Sequence, residues 1–138
     1  MDNIVKVLVT MASAVSVGFG IWHFFVPKIW NWYAYIDARA TELILAIRAI
    51  NVFFSLSLVL VGVLNWLFAM GGGANRYSVI ALLAATSILW LVRLVIQLRY
   101  PQGSINPLLQ YGMLLAFSWV FFCYIISLCI IILKSTTG

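Results

Sequence analysis

Four apolar stretches, each long enough to cross a bilayer, take up most of this chain and leave it one class of fold. They run approximately over residues 3–25, 43–70, 77–99 and 107–133 of 138. A hydrocarbon core about 30 Å thick is spanned by roughly 20 helical residues. In lipid every backbone N–H and C=O must be bonded within the protein, so such stretches form helices. The expected fold is all-α: a single-domain integral membrane four-helix bundle. An even number of spans puts both termini on the same side. Composition agrees, since charged residues make up 8% of the chain and hydrophobic ones 65%. A soluble domain carries about 25% charge, so there are too few charges here to coat a water-facing surface. Disordered chains show the opposite balance, few hydrophobic residues and high net charge.

The net charge of +5 does not point to nucleic acid. The basic residues stand singly among apolar runs, with no Lys/Arg-rich segment to track a phosphate backbone. They read instead as boundary residues facing anionic lipid. Lys6, Arg76 and Lys134 fall on the terminal side; Lys28, Arg39 and Arg99 fall on the other, with Arg48 and Arg93 deeper. The two sides balance unless the deep pair is counted, and counting it would put the termini outside. Reading that pair as held by a site leaves the termini cytoplasmic, and the chain is expected as a multi-pass protein of a cell membrane, a bacterial inner membrane by its small size.

The breaks between spans are legible. Ala12-Ser13-Ala14 resembles a signal-peptide cleavage site, but the apolar run before it, Val7 to Met11, is too short for a signal core. Segment one therefore reads as a true span. From Lys28 to Glu42 the chain mixes Trp30, Trp32, Tyr33 and Tyr35 with charged residues, the composition of a headgroup-level connection. Gly71-Gly72-Gly73 marks a turn, without the Lys-Ser/Thr that a phosphate loop needs. Tyr100 to Pro107 is the third break, and Pro107 suits a first helical turn. Cys123 and Cys129 lie six residues apart in one helix, so they point in different directions and cannot pair.

Polar residues inside the spans carry the functional signal. Segment two has Arg48, Asn51, Ser55, Gly62 and Asn65 on one helical face. Segment one has Ser13, Ser16, Gly20, His23 and Pro27 at the same kind of spacing, and segment three has Thr86, Arg93, Gln97 and Tyr100. Serines and glycines of this kind let helices approach closely in lipid. The larger groups are different. His23, Arg48, Asn51, Arg93, Gln97 and Gln110 all fall toward the side opposite the termini, at similar depth by helical rise, and a compact bundle brings them to one pocket. An arginine at mid-membrane costs about 2.5–3.5 kcal/mol on insertion scales. The pair beside His23 therefore calls for an anionic or carbonyl-bearing partner, or a lipid headgroup.

His23 alone also fits a ring that donates to a backbone carbonyl, or a group that handles protons. A single histidine with no nearby thiolate leaves metal or haem coordination unfilled. No catalytic set is recognisable, and the residues specify no cofactor.

The Gly20-x-x-His23-Phe24-x-x-Pro27 ending of the first helix resembles that of some DoxX-like membrane proteins. These are small bacterial four-helix proteins, some of them associated with quinone-linked redox complexes or oxidative-stress assemblies. The resemblance singles out His23 and Arg93. It does not extend to Arg48 and Asn51, which stand where an acidic residue is expected, or to Tyr100-Pro-Gln-Gly, which replaces a Pro-Ala-Asn-type ending. Three readings follow: a non-enzymatic module that binds a lipid- or quinone-like ligand, acting as an accessory subunit of a membrane complex or as a homo-oligomer; a small transporter or channel lined by the same residues; or a redox subunit using His23 as acid and base.

Overall fold

The structure, a computed structural model, describes residues 2–103 and 106–136. Four helices account for nearly all of them: α1 (Asn3–Ile29), α2 (Thr41–Met70), α3 (Arg76–Arg99) and α4 (Pro107–Thr136). A single 3₁₀ turn, Trp32–Tyr35, lies in the α1–α2 connection. All four helices are long and apolar enough to cross a membrane. Their outer faces show why a bilayer is required. Ile50, Phe53 and Leu115 are 67%, 75% and 73% exposed, a density of bare apolar surface that water would not tolerate in a monomer. The protein is a multi-pass membrane protein.

Short polar side chains set the helix boundaries. Asp2 accepts from the Ile4 N–H at the start of α1, and Asn75 from the Tyr77 N–H at the start of α3. Asn106 accepts from the Leu108 N–H, with Pro107 at the first position of α4, where its missing N–H costs nothing. Beyond the end of α1 and its cap at Trp30, Asn31 turns the chain in a left-handed conformation with φ 48°, one that asparagine tolerates better than most residues. The expected end of this span near residue 25 is corrected: the helix runs through Pro27 to Ile29.

Around the bundle the order is α2, α1, α4, α3. α1 packs extensively on both α2 and α4, and α4 on α3, whereas α2 and α3 barely touch. Glycine sets the α1–α2 distance. A Cβ on Gly20 would sit 2.9 Å from the Ser55 carbonyl oxygen, and one on Gly62 would sit 2.8 Å from the Val17 side chain. Between α1 and α4 the seam is polar at its centre: the Tyr124 hydroxyl lies 3.2 Å from Ser13 Oγ and 3.4 Å from Ser16 Oγ, all three buried. One side-chain bond ties α2 to α3, from Asn65 Nδ2 to Thr86 Oγ1 at 2.8 Å. It lies in the half of the bundle nearer the termini. Asp2 pairs with Lys134, so the start of α1 and the end of α4 meet at one end of the bundle.

Candidate functional site

The site is organised by a proline. An i→i−4 bond from residue 27 would close on the His23 carbonyl, but Pro27 has no N–H to give. That carbonyl would be an orphan within the hydrocarbon region. Asn51 of α2 supplies the missing donor, with Nδ2 3.2 Å from the His23 oxygen. Asn51 is thus a backbone strap between helices, and α1 continues past its proline because a neighbour repairs the ladder.

The repair leaves the His23 ring packed among aromatics. Phe54 lies 4.8 Å from it centroid to centroid, Phe19 5.6 Å, Trp32 6.2 Å and Trp22 6.4 Å, all edge-on. Its Nδ1 is buried with no hydrogen-bond partner. A cavity of about 200 Å³ adjoins the ring, lined also by Trp22, Trp30, Trp32, Gln102 and Met113.

Arg93 enters the same layer from α3. Its guanidinium carbon sits 4.4 Å from the Phe117 ring centroid and 5.9 Å from that of Phe19. Its Nη2 donates to Gln102 Oε1 at 2.6 Å. Gln97 donates to the backbone carbonyl of the same Gln102 at 3.0 Å, so α3 clamps the α3–α4 loop with two side chains. Gln97 Oε1 is also buried and unpartnered. Ring faces and a neutral amide offset part of the desolvation of a guanidinium, at most about 2 kcal/mol per well-placed ring. They do not neutralise it. Among the described residues no carboxylate pairs with Arg93.

A second cavity, of about 210 Å³, lies where α2 and α3 part, between Phe54, Leu58 and Val61 on one wall and Leu89, Val92 and Ile96 on the other. Phe19 and Arg93 stand at its inner end, and Phe19 also lines the cavity beside His23. The two spaces therefore share the Phe19 ring as a wall.

Four of the six expected site residues come together here: His23, Asn51, Arg93 and Gln97. Two do not. Arg48 is exposed and lies over the Tyr33 ring, 5.0 Å from its centroid. It shares the Asn51–Ser55 face but lies one turn nearer the start of α2, where its long side chain reaches out to the aromatic surface that the 3₁₀ turn offers. It therefore counts as a boundary cation, which tips the balance to the side opposite the termini and removes the charge argument for cytoplasmic termini. The Gln110 side chain is half-buried, lines neither cavity and, among the described residues, makes none of the hydrogen bonds that tie Asn51 to His23 and Arg93 and Gln97 to Gln102. Gln102 was not foreseen, since a glutamine between Pro101 and Gly103 reads as turn. The rings around His23 and Arg93 were equally hidden, because Phe and Trp are ordinary content for a span.

Comparison with family models, with curated protein sequences and with solved structures finds no match for this chain. The likeness to DoxX-like proteins thus rests on Gly20, His23, Phe24 and Pro27, together with overall length and span count.

Proposed function

We propose that this protein binds a membrane-resident amphiphile, a lipid or a quinone, whose anionic or carbonyl-bearing head meets Arg93 and whose apolar part lies between α2 and α3. One observation carries the reading: Arg93 is half-buried with no counter-charge at the inner end of an apolar cleft between two spans. The chemistry is complementary at each end. Cleft walls of Leu, Ile and Val suit a chain or isoprenoid tail, and the guanidinium fork suits a carboxylate, phosphate or quinone oxygen. The unpartnered His23 Nδ1, beside the neighbouring cavity that shares the Phe19 ring, is a further polar atom near the head end, since buried polar groups are rarely left without partners.

Binding is favoured over transport by the packing beyond the site. Val9, Leu83 and Val120 are buried toward the terminal face, and the polar side chains buried beyond the site, Ser13, Ser16 and Tyr124 on one seam and Asn65 and Thr86 on another, are taken up in hydrogen bonds that hold the helices together. The reading is tested by native mass spectrometry and organic extraction of the protein purified in mild detergent. Wild type is expected to retain a stoichiometric lipid or quinone. Arg93→Met, of similar length and apolar, should lose it while unfolding at the same temperature. Equal retention by both would overturn the assignment.

A further inference from the structure

The end of the bundle opposite His23 holds a cavity of its own, about 320 Å³ in volume. Its floor is apolar, built from Val5, Phe68, Val79, Ile130 and Ile131; Asp2, Lys6, Arg76 and Lys134 also line it. Three helix ends bring these charges together. α1 starts beside Asp2, α3 starts at Arg76 and α4 ends near Lys134. The starts of α1 and α3 bring positive helix-dipole ends and the ends of α2 and α4 negative ones, so the balance of charge rests on the side chains.

The charges there do not balance. Among the described residues Asp2 is the one carboxylate lining the cavity, and it already serves Lys134 and the Ile4 N–H. Arg76 donates through Nη2 to the Ile131 carbonyl, a neutral acceptor that leaves its charge uncompensated. Lys6, half-buried one turn into α1, has no side-chain partner among the described residues. Among the described residues two cations thus remain without a counter-charge, beside the Gly71–Gly72 turn and above an apolar floor.

We infer that this cavity binds a phosphate group, as a phosphomonoester or phosphodiester. Arg76 offers a planar fork and Lys6 a point charge, the pair of donors that holds a multi-oxygen anion. Lys134 is the reserve, tied down by Asp2. The site shares no residue with the proposed amphiphile site, so either can fail alone.

The test is titration of purified protein in detergent, read by native mass spectrometry, with phosphatidylglycerol, with a fatty acid as an anionic amphiphile lacking phosphate, and with inorganic phosphate. Phosphatidylglycerol should bind, and Arg76→Gln or Lys6→Gln should each weaken it about tenfold, the scale of one lost charge-assisted hydrogen bond. Asp2→Asn is the decisive variant. Asparagine still caps α1, but it releases Lys134, so binding should tighten about threefold, as for one unit charge a few ångströms away in a water-like medium. Misfolding cannot produce a gain. Displacement of the lipid by millimolar inorganic phosphate would identify a soluble phosphate compound as the ligand, and resistance to it a lipid headgroup. Equal binding of the fatty acid, or no change in any of the three variants, would overturn the inference.

Discussion

The strap from Asn51 to the His23 carbonyl makes a prediction that only this geometry makes. Substituting Asn51 by Leu removes the donor and leaves a carbonyl that Pro27 has already orphaned. An unsatisfied buried acceptor costs about 1–3 kcal/mol. Asn51 Oδ1 is itself buried without a partner, so deleting it returns part of that cost, and the net loss should be about 1–2 kcal/mol. In a Pro27→Ala background, residue 27 regains an N–H that can close on the same carbonyl. There Asn51→Leu should be close to neutral. The two substitutions should therefore couple by about 1–2 kcal/mol in a double-mutant cycle, with any cavity left at the buried Pro27 cancelling between its arms. The measurement is reversible unfolding in bicelles or mixed micelles for the four proteins. An equal cost for Asn51→Leu in both backgrounds would show that the His23 carbonyl does not depend on Asn51.

Other expectations follow from packing and charge. Gly20→Ala places a Cβ 2.9 Å from the Ser55 carbonyl oxygen and should cost about 1–3 kcal/mol. Gly18→Ala, with nothing within 4 Å of its Cβ, should instead gain about 0.5–1 kcal/mol from helix propensity; thermal unfolding of the two variants side by side separates contact from propensity. Tyr124→Phe removes the hydroxyl that joins Ser13 and Ser16 and should destabilise by about 1 kcal/mol, read in the same unfolding assay; no change would mean the seam holds by shape alone. The Lys134 ammonium, together with the Ile4 N–H, holds the Asp2 carboxyl below its ordinary pKa. Because the folded-state value is depressed, the contribution is complete above the unfolded value and is lost as pH falls below about 4. An unfolding profile from pH 7 to 3 should bend at its acid end in wild type, and Asp2→Asn should remove the part of the bend due to this residue.

The sequence carried the fold almost whole, for physical reasons. Lipid permits so few backbone arrangements that four apolar runs and three punctuated breaks leave little else to decide. What it misplaced were details that depend on neighbours. Pro27 reads as a helix end, and nothing in α1 itself says that a residue 24 positions later will repair the gap. The site was half legible. Arg93 and Gln97 follow from the cost of burying polar groups, but Arg48 obeys the same cost argument and escapes outward onto Tyr33. Helical spacing fixes which residues share a face. It does not fix where a long side chain on that face ends: Gly62 and Asn51 meet α1, while Arg48, one turn nearer the start of α2, reaches out to the 3₁₀ turn.

The seam between α1 and α4 also has a history in time. Its two sides are separated by most of the chain, and at synthesis rates of about 5–20 residues per second several seconds pass between the emergence of Ser13 and that of Tyr124. Ser16 bridges the interval alone, because its hydroxyl donates to the Ala12 carbonyl of its own helix at 2.8 Å. In the finished protein Ser13 takes its side-chain bond from Tyr124. The first hairpin therefore enters the bilayer with a polar edge still open, and the last helix to be made is the one that closes it. Chains stalled before α4 should leave a cysteine placed at Ser13 open to labelling, and full-length chains should shield it.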